Sequence, residues 1–424
     1  MKVWIVRDTE PVPGDEGNVR LLRGGMLCNA LAEHGHQVRW FTSTFDHYSG
    51  RHRPGGRQSR RVGSNLVVEI LPGLGYRQSI GLRRILHNRS FARSFLLAAR
   101  KLGERPDIIV ADLPTTEGAA AAVALAREWD IPSIVSIRDR WPDFFLSYLP
   151  AWSRWLALPA IGVLDRQARR ACRGATAIVG ISEAYLEWGL GKAGRERGAE
   201  DAVIPLGYPA PNWEPGDEEK AERYCRELGV GLSDRLVCFI GSWGRTYDLD
   251  TAVEAALLLR ERPGLRFVFA GDGESYSRIA KRIGAVDSII LPGWIDSDQV
   301  RWLLRRAQVG LMPYDAAAPQ GLPNKIFEYM AYGLFQVSTL AGEAAALLRS
   351  LDIGVSCSSR DAGAMAKAIE YALERTHDPR LRDKIREQFS SRYDSRIVYD
   401  TYAELIEKVA RAAPRQQPLR ASSP

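Results

Sequence analysis

The sequence predicts an α/β protein of two Rossmann-like, doubly wound domains facing across a cleft. Three observations carry this. Short runs rich in Val, Ile and Phe alternate with stretches of helical period through both halves of the chain. A proline-dense segment, Ile204-Pro205-Leu206-Gly207-Tyr208-Pro209-Ala210-Pro211, separates the two sets and reads as an interdomain linker. Glycine-bearing loops follow several strands, at the edge where open parallel sheets bind ligands. At 424 residues the chain has room for two or three domains, at about 150 residues each. Residues 1–206 and 207–392 are assigned to the first and second.

In the first half, Val3-Trp4-Ile5-Val6 is a strand and residues 19–34 a helix, with Leu21, Leu22, Met26, Leu27, Ala30 and Leu31 at helical spacing. Gly35 stops that helix, and residues 38–42 form the next strand. The loop 11–18 between them carries Gly17 and Asn18, where an open α/β sheet binds its ligand. It lacks G-x-G-x-x-G, which disfavours a Rossmann dehydrogenase. Residues 51–61 hold Arg51, Arg53, Arg57, Arg60 and Arg61. They make either a solvated loop or a contact with an anionic acceptor or lipid head groups. After a strand at 66–70, residues 82–101 predict a basic amphipathic helix. Leu82, Ile85, Leu86, Phe95 and Leu96 share one face, and Arg83, Arg84, Arg89, Arg93 and Arg100 crowd the remainder. Such a helix either lies on an anionic membrane surface or packs with a solvated face.

Strands at 107–111 and 133–137 bracket an Ala-rich helix at 116–129. Arg138-Asp139-Arg140-Trp141-Pro142-Asp143 follows the second of them, on the ligand-binding edge. Arg138 and Asp139 are candidate site residues there, the alternative being an Asp that caps the next turn. Residues 149–164 are apolar, with Trp152 and Trp155 flanking Arg154; the stretch suits interfacial contact and is too short to span a bilayer. A strand at 176–181 ends the set, and Ser182 caps a helix running toward Leu190.

The second half opens with a charged helix at 217–228. Strands follow at 236–240, 266–270, 288–291, through Met312 and at 335–338, with helices between them. A last helix at 395–412 presents Val398, Tyr402, Leu405 and Val409 on one face. The tail 414–424 is expected to be disordered. The most informative stretch is Gly321-Leu322-Pro323-Asn324-Lys325-Ile326-Phe327-Glu328-Tyr329-Met330-Ala331-Tyr332-Gly333. Asn324 can cap a helix, Lys325 opens it and Gly333 ends it. The N–H groups at its start, with the Lys325 charge, make an anion site. Glu328 lies one turn on, along the same side, where a carboxylate suits a sugar diol. Three further loops follow strands. Gly241-Ser242-Trp243-Gly244-Arg245 can hold a diphosphate. Ala270-Gly271-Asp272-Gly273-Glu274 and Pro292-Gly293-Trp294-Ile295 can hold a base.

Composition narrows the class. The net charge of +7 points to an anionic partner. No zinc finger, RNP motif or basic run with interleaved aromatics points to nucleic acid. No apolar run reaches the roughly 18 residues a membrane span needs, and no signal peptide opens the chain. Five scattered cysteines without C-x-x-C argue for a reducing cytoplasm, and the six histidines show no ligand spacing. Asp296-Ser297-Asp298 matches the Asp-x-Asp of metal-dependent transferases in form, but it stands before a helix, where Asp is an ordinary cap.

Taken in order, these loops resemble the family-4 retaining glycosyltransferases of GT-B fold. Arg138-Asp139-Arg140-Trp141-Pro142 and Gly180-Ile181-Ser182-Glu183 resemble the bacterial fucosamine-transferase-like branch of surface-polysaccharide synthesis. The resemblance implies that Glu328 holds the nucleotide ribose and that Arg245 and Lys325 meet the diphosphate. Gly17 and Asp139 would line the sugar and acceptor side, and the last helix, about 393–413, would pack back on the first domain. Catalytic roles then fall to Asp139, Arg245, Lys325 and Glu328. The donor is a UDP- or GDP-sugar and the acceptor a sugar or polyprenyl-diphosphate-linked sugar. No metal or other cofactor is expected, because a helix N-terminus and cations carry the leaving diphosphate. The protein is expected in the cytoplasm, peripheral on the membrane's inner face. The family's Glu-x7-Glu motif has Gln320 in place of its first glutamate. That departure leaves open an inactive nucleotide-sugar-binding paralogue; a nucleotide-sugar 2-epimerase shares the fold, but ligand loops with almost no His disfavour it.

Overall fold

The computed structural model describes residues 1–15, 21–77, 81–143, 154–244, 246–318 and 321–412. Two units emerge, one of Met1–Pro205 with the chain from Val398 onward, the other of Leu206–Ile397.

The strands of the first unit are β1 (Lys2–Val6), β2 (Gln37–Ser43), β3 (Phe45–Asp46), β4 (Arg51–His52), β5 (Gln58–Val62), β6 (Leu66–Leu71), β7 (Ile108–Leu113), β8 (Ser133–Ile137), β9 (Ala177–Gly180) and β10 (Ala202–Val203). Its helices are α1 (Arg23–Glu33), α2 (Leu82–Lys101), α3 (Thr116–Glu128), α4 (Arg154–Gly174) and α5 (Glu183–Ala193). The sheet order is β10-β9-β8-β7-β1-β2-β6-β5, parallel except for the antiparallel edge strand β5. Chain order reverses between β1 and β7. The loops leaving the carboxyl ends of neighbouring strands part at such a reversal, which opens a crevice.

In the second unit the strands are β11 (Arg235–Ile240), β12 (Leu265–Ala270), β13 (Ile289–Gly293), β14 (Val309–Met312), β15 (Phe335–Ser338) and β16 (Gly354–Ser356). They lie in the order β13-β12-β11-β14-β15-β16, all parallel. The reversal falls between β11 and β14. The helices are α6 (Asp217–Glu227), α7 (Leu249–Leu258), α8 (Tyr276–Ile283), α9 (Ser297–Arg306), α10 (Asn324–Tyr332), α11 (Gly342–Ser350), α12 (Ala362–Arg375) and α13 (Leu381–Arg392). The last helix, α14 (Ser395–Ala412), starts here, and from Val398 onward it belongs to the first unit. Its Val398, Tyr402, Ile406 and Val409, at helical spacing, join Leu27, Leu31 and the strand residues Val3 and Val38 in one apolar cluster.

Several expectations are corrected. The first helix starts at Arg23, so Leu21 and Leu22 precede it. Residues 51–61 are not one cationic loop. Residues 58–61 pair with β6, and Arg53 is buried, holding Asp15 and donating to the carbonyls of Ser43, Phe45 and Glu10. Arg51, Arg57 and Arg61 stay exposed. α2 covers its expected residues, and of its expected apolar face Phe95 is buried and Ile85 and Leu96 half-buried, but polar residues share the inward side and Leu82 and Leu86 do not. Arg84, His87, Asn88, Phe91 and Phe95 are buried, while Leu82, Leu86 and Leu97 are exposed. Asn88 hydrogen-bonds Glu117, and Arg84 stacks over Trp141, so polar partners from elsewhere in the chain claim that face. Trp152 and the candidates Gly17, Asn18 and Arg245 lie outside the described residues.

Gly310 shows how closely the second unit is packed. A Cβ there would stand 2.4 Å from the Tyr329 ring, which is fully buried and donates its hydroxyl to the Leu311 carbonyl. Gly310→Ala is therefore expected to destabilise by about 3 kcal/mol. Gly363→Ala, in the first turn of α12 with only ordinary contact around it, should be neutral to stabilising. A thermal midpoint for each variant checks the pair, and equal midpoints would sink this account of β14.

Candidate functional site

At the carboxyl edge of the second sheet the loops after β11, β12 and β13 touch through backbone. Gly241 N–H donates to the Ala270 carbonyl at 3.0 Å, Trp243 N–H to Asp272 at 2.9 Å and Gly271 N–H to Gly293 at 2.7 Å. A side chain would end this approach: a Cβ on Gly271, at φ +133°, would lie 1.9 Å from the Gly241 carbonyl oxygen. Trp243 is fully buried beneath the loop, its ring against Tyr276. Above it Ser242, Asp272 and Gly273 are exposed. Ile295 turns into the apolar core, so Trp294, 76% exposed, is the open side chain of its loop.

β14 leads toward α10. Pro323, extended at ψ 150°, is the N-cap, and no side chain caps the helix. Asn324 is thus the first helical residue and not the cap. Ile326 N–H donates to the Pro323 carbonyl at 3.1 Å, while the Asn324 and Lys325 N–H groups before it have no intrahelical acceptor. Gly333, at φ +73°, ends the helix as expected. Gly321 and Leu322 are half-buried before it, and Leu322 packs on the core. Lys325 is 9% exposed. Its ammonium donates to the Ile240 carbonyl at the end of β11 and lies 3.4 Å from Glu328 Oε2. Glu328 Oε1 accepts from the Tyr208 hydroxyl at 3.0 Å. The expected pairing of Lys325 with Glu328 along one side of the helix is present. Tyr208 is the residue that sequence reasoning missed. It was read as linker, and only its being aromatic among prolines marked it.

In the first unit the edge is a buried ionic network. Arg7, after β1, contacts Asp112 on β7 and donates to Glu10 Oε1 at 3.0 Å. Arg138 reaches the same Glu10 oxygen at 2.5 Å. Beside them His87 Nε2 lies 3.3 Å from Asp8 Oδ2, and Thr115 donates to Asp8 Oδ1 at 2.7 Å. Burial works against the Asp8 charge, but His87 and Thr115 hold its carboxyl below the usual range. Asp139 goes the other way. Burial outweighs Arg84 and Arg138 and raises it to about 6, and its Oδ1 is buried without a partner among the described residues.

Two family models match, one described as glycosyl transferases group 1 over residues 234–375, the other as a glycosyl transferase 4-like domain over residues 24–207. Both describe glycosyltransferases, one match lying in the second unit and the other almost wholly in the first. Among similar proteins is one of Bacillus subtilis (strain 168) whose name proposes a teichuronic acid biosynthesis glycosyltransferase, TuaC. It is 24% identical over 309 residues, 73% of this chain and 72% of the relative. Among solved structures, Anabaena HepE in complex with UDP has a TM-score of 0.65 at 16% identity, covering 96% of this chain and all of that one. Sucrose-phosphate synthase of Thermosynechococcus elongatus has a TM-score of 0.71 at 16% identity, covering 97% and 99%. Such likeness shows the GT-B fold.

Asp296 does what a cap does. It accepts from the Asp298 and Gln299 N–H groups, and Gln299 returns a bond to the Asp296 N–H. Asp296-Ser297-Asp298 is thereby accounted for as the start of α9.

The raised Asp139 carboxyl sets a testable sign. Its folded value, about 6, stands above the ordinary 3.8. The folded protein therefore binds the proton more tightly, and this group's contribution to stability falls as pH rises between those values. Asp139→Asn removes that loss. Relative to wild type the variant should gain about 1–3 kcal/mol across the window and hold the gain above it. Melts of both proteins from acid to neutral pH check this, and a difference independent of pH would reject it.

Proposed function

We propose that the chain transfers a sugar, with retention and without a metal ion, from a UDP- or GDP-linked donor to an acceptor of bacterial surface polysaccharide or glycolipid. The observation that carries this reading is the Lys325–Glu328 pair at the start of α10, set against the end of β11. Two likenesses support it: HepE structures hold UDP and UDP-glucose, and TuaC is named for teichuronic acid.

In this reading the diphosphate meets the Lys325 ammonium and the first N–H groups of α10, with Arg245 and the backbone of Gly241, Ser242 and Gly244 nearby in sequence. The base lies by Gly271, Asp272, Gly273, Gly293 and Trp294. Glu328 accepts from the ribose hydroxyls. When the glycosidic bond breaks, its electron pair goes to the β-phosphate oxygen, and the new negative charge falls where the cation and helix start can hold it. Asp139 stands on the acceptor side.

Two substitutions separate these roles. Lys325 is buried, so Lys325→Met keeps its volume while removing the charge. It should mainly lower kcat, because the charge matters more as the leaving group departs. Glu328→Ala removes contacts made in ground and transition states alike, so it should mainly raise donor KM, at a cost of about 1.5–3 kcal/mol. Added magnesium or manganese should leave turnover unchanged. Folded variants with wild-type donor kinetics would end this reading, as would absence of released nucleoside diphosphate in the wild type.

The acceptor class suggests a membrane. Among the described residues no helix is long and apolar enough to cross one. Outward on α2, however, Leu82, Leu86 and Leu97 are 74%, 51% and 64% exposed, interleaved with exposed Arg83, Arg89 and Arg93. On α4, which like α2 packs on α3, Trp155 and Leu158 are exposed. Leucines beside arginines on one stripe suit an anionic lipid surface. The protein should sediment with anionic vesicles in a salt-sensitive way, and Arg89→Glu with Arg93→Glu should weaken this at least about tenfold. Equal binding to neutral vesicles would count against it.

A further inference from the structure

The turn between α1 and β2 brings two imidazoles to one carboxylate of the last helix. Gly35, at φ +80°, reverses the chain after His34, so His34 and His36 stand side by side. From α14, 371 residues beyond His36, Glu407 places Oε1 at 2.9 Å from His36 Nε2 and 3.3 Å from His34 Nδ1. The three ligand atoms lie within 4.8 Å of one another. A tetrahedral zinc ion holds N and O ligands at about 2.0–2.2 Å, so its ligand atoms stand about 3.3–3.5 Å apart. Small ring rotations bring these three to that spacing. His36 is buried and His34 partly open, which leaves a fourth position for water.

The surroundings are arranged as around a metal ligand. Asp400, about two helical turns before Glu407, sets Oδ1 at 3.4 Å from His34 Nε2. A metal-bound imidazole gives its other N–H to such a carboxylate. Arg411 takes the second Glu407 oxygen at 2.6 Å, so Oε1 is the one left for the imidazoles. The Met1 nitrogen lies 3.4 Å from His36 Nδ1. That ring nitrogen carries a proton once Nε2 is metal-bound, so this contact is given up on binding.

We propose that His34, His36 and Glu407 form a site for a zinc-class divalent cation, oriented by Asp400, that fastens α14 to the turn between α1 and β2. Two imidazoles and one carboxylate select zinc and its late first-row neighbours over magnesium. The site lies among residues that the donor reading does not use, so the two stand or fall separately.

The test uses the full chain, stripped by chelator and titrated with zinc ion by calorimetry, with the thermal midpoint as second readout. One ion per chain and a raised midpoint are expected, with no midpoint shift from magnesium. His36→Ala should abolish both effects. Asp400→Asn, which touches no ligand atom of the ion, should weaken affinity about tenfold and keeps the test valid if His36→Ala fails to fold. No saturable zinc binding would overturn the proposal. So would binding of wild-type affinity in Asp400→Asn together with His34→Ala.

Discussion

The second unit depends on the bond from the Lys325 ammonium to the Ile240 carbonyl. It ties the start of α10 to the end of β11, beside the strand reversal. An ammonium offers three donors, and burying it costs several kcal/mol unless they are used. Lys325 has one carbonyl, a carboxylate at 3.4 Å and the rings of Phe239 and Tyr329 at 5.8 and 5.3 Å. Other contacts hold the arrangement in place. Gly310 admits the Tyr329 ring, and Arg382 donates to the Tyr332 carbonyl at the far end of α10 and to the Leu304, Arg305 and Ala307 carbonyls at the end of α9. The charge is thus fixed where it keeps capacity for a further anionic partner.

What the sequence made legible is what local chemistry decides. The apolar runs became strands, Gly333 stopped α10, and Lys325 and Glu328 shared a side because helical period demands it. What it hid depends on distant partners. The inward face of α2 was misread because Leu82 and Leu86 are more apolar than Arg84, His87 and Asn88. The latter go inside because Trp141, Asp8 and Glu117 wait there. Arg53 looked like one basic residue among several until Asp15 and three carbonyls claimed it. The two histidines beside Gly35 had no ligand spacing of their own, since Glu407 comes from the other end of the chain.

The two sheet edges settle charge differently. In the first unit Arg7 and Arg138 meet Glu10 and Asp112, two cations with two anions. Asp8 is satisfied by His87 and Thr115. The second unit offers close-packed glycine loops, a helix start and Lys325. On the proposed reading the anionic leaving group belongs to the second edge, and a neutral hydroxyl of the acceptor suits the first.

Tyr208 links that chemistry to the chain's path. Its N–H donates to the Tyr393 carbonyl at 3.0 Å, and its own carbonyl accepts from Ser395 N–H at 2.9 Å. These bonds hold together the segments by which the chain enters and leaves the second unit, near Leu206 and Ile397. The same residue gives its hydroxyl to Glu328. On the proposed reading a ribose hydroxyl shares the Glu328 carboxylate with Tyr208. A carboxylate's two oxygens offer about four lone-pair sites, so Glu328 can accept from both. On that reading donor binding at Glu328 bears on the residue that joins these two segments, with no intermediary beyond one hydrogen bond.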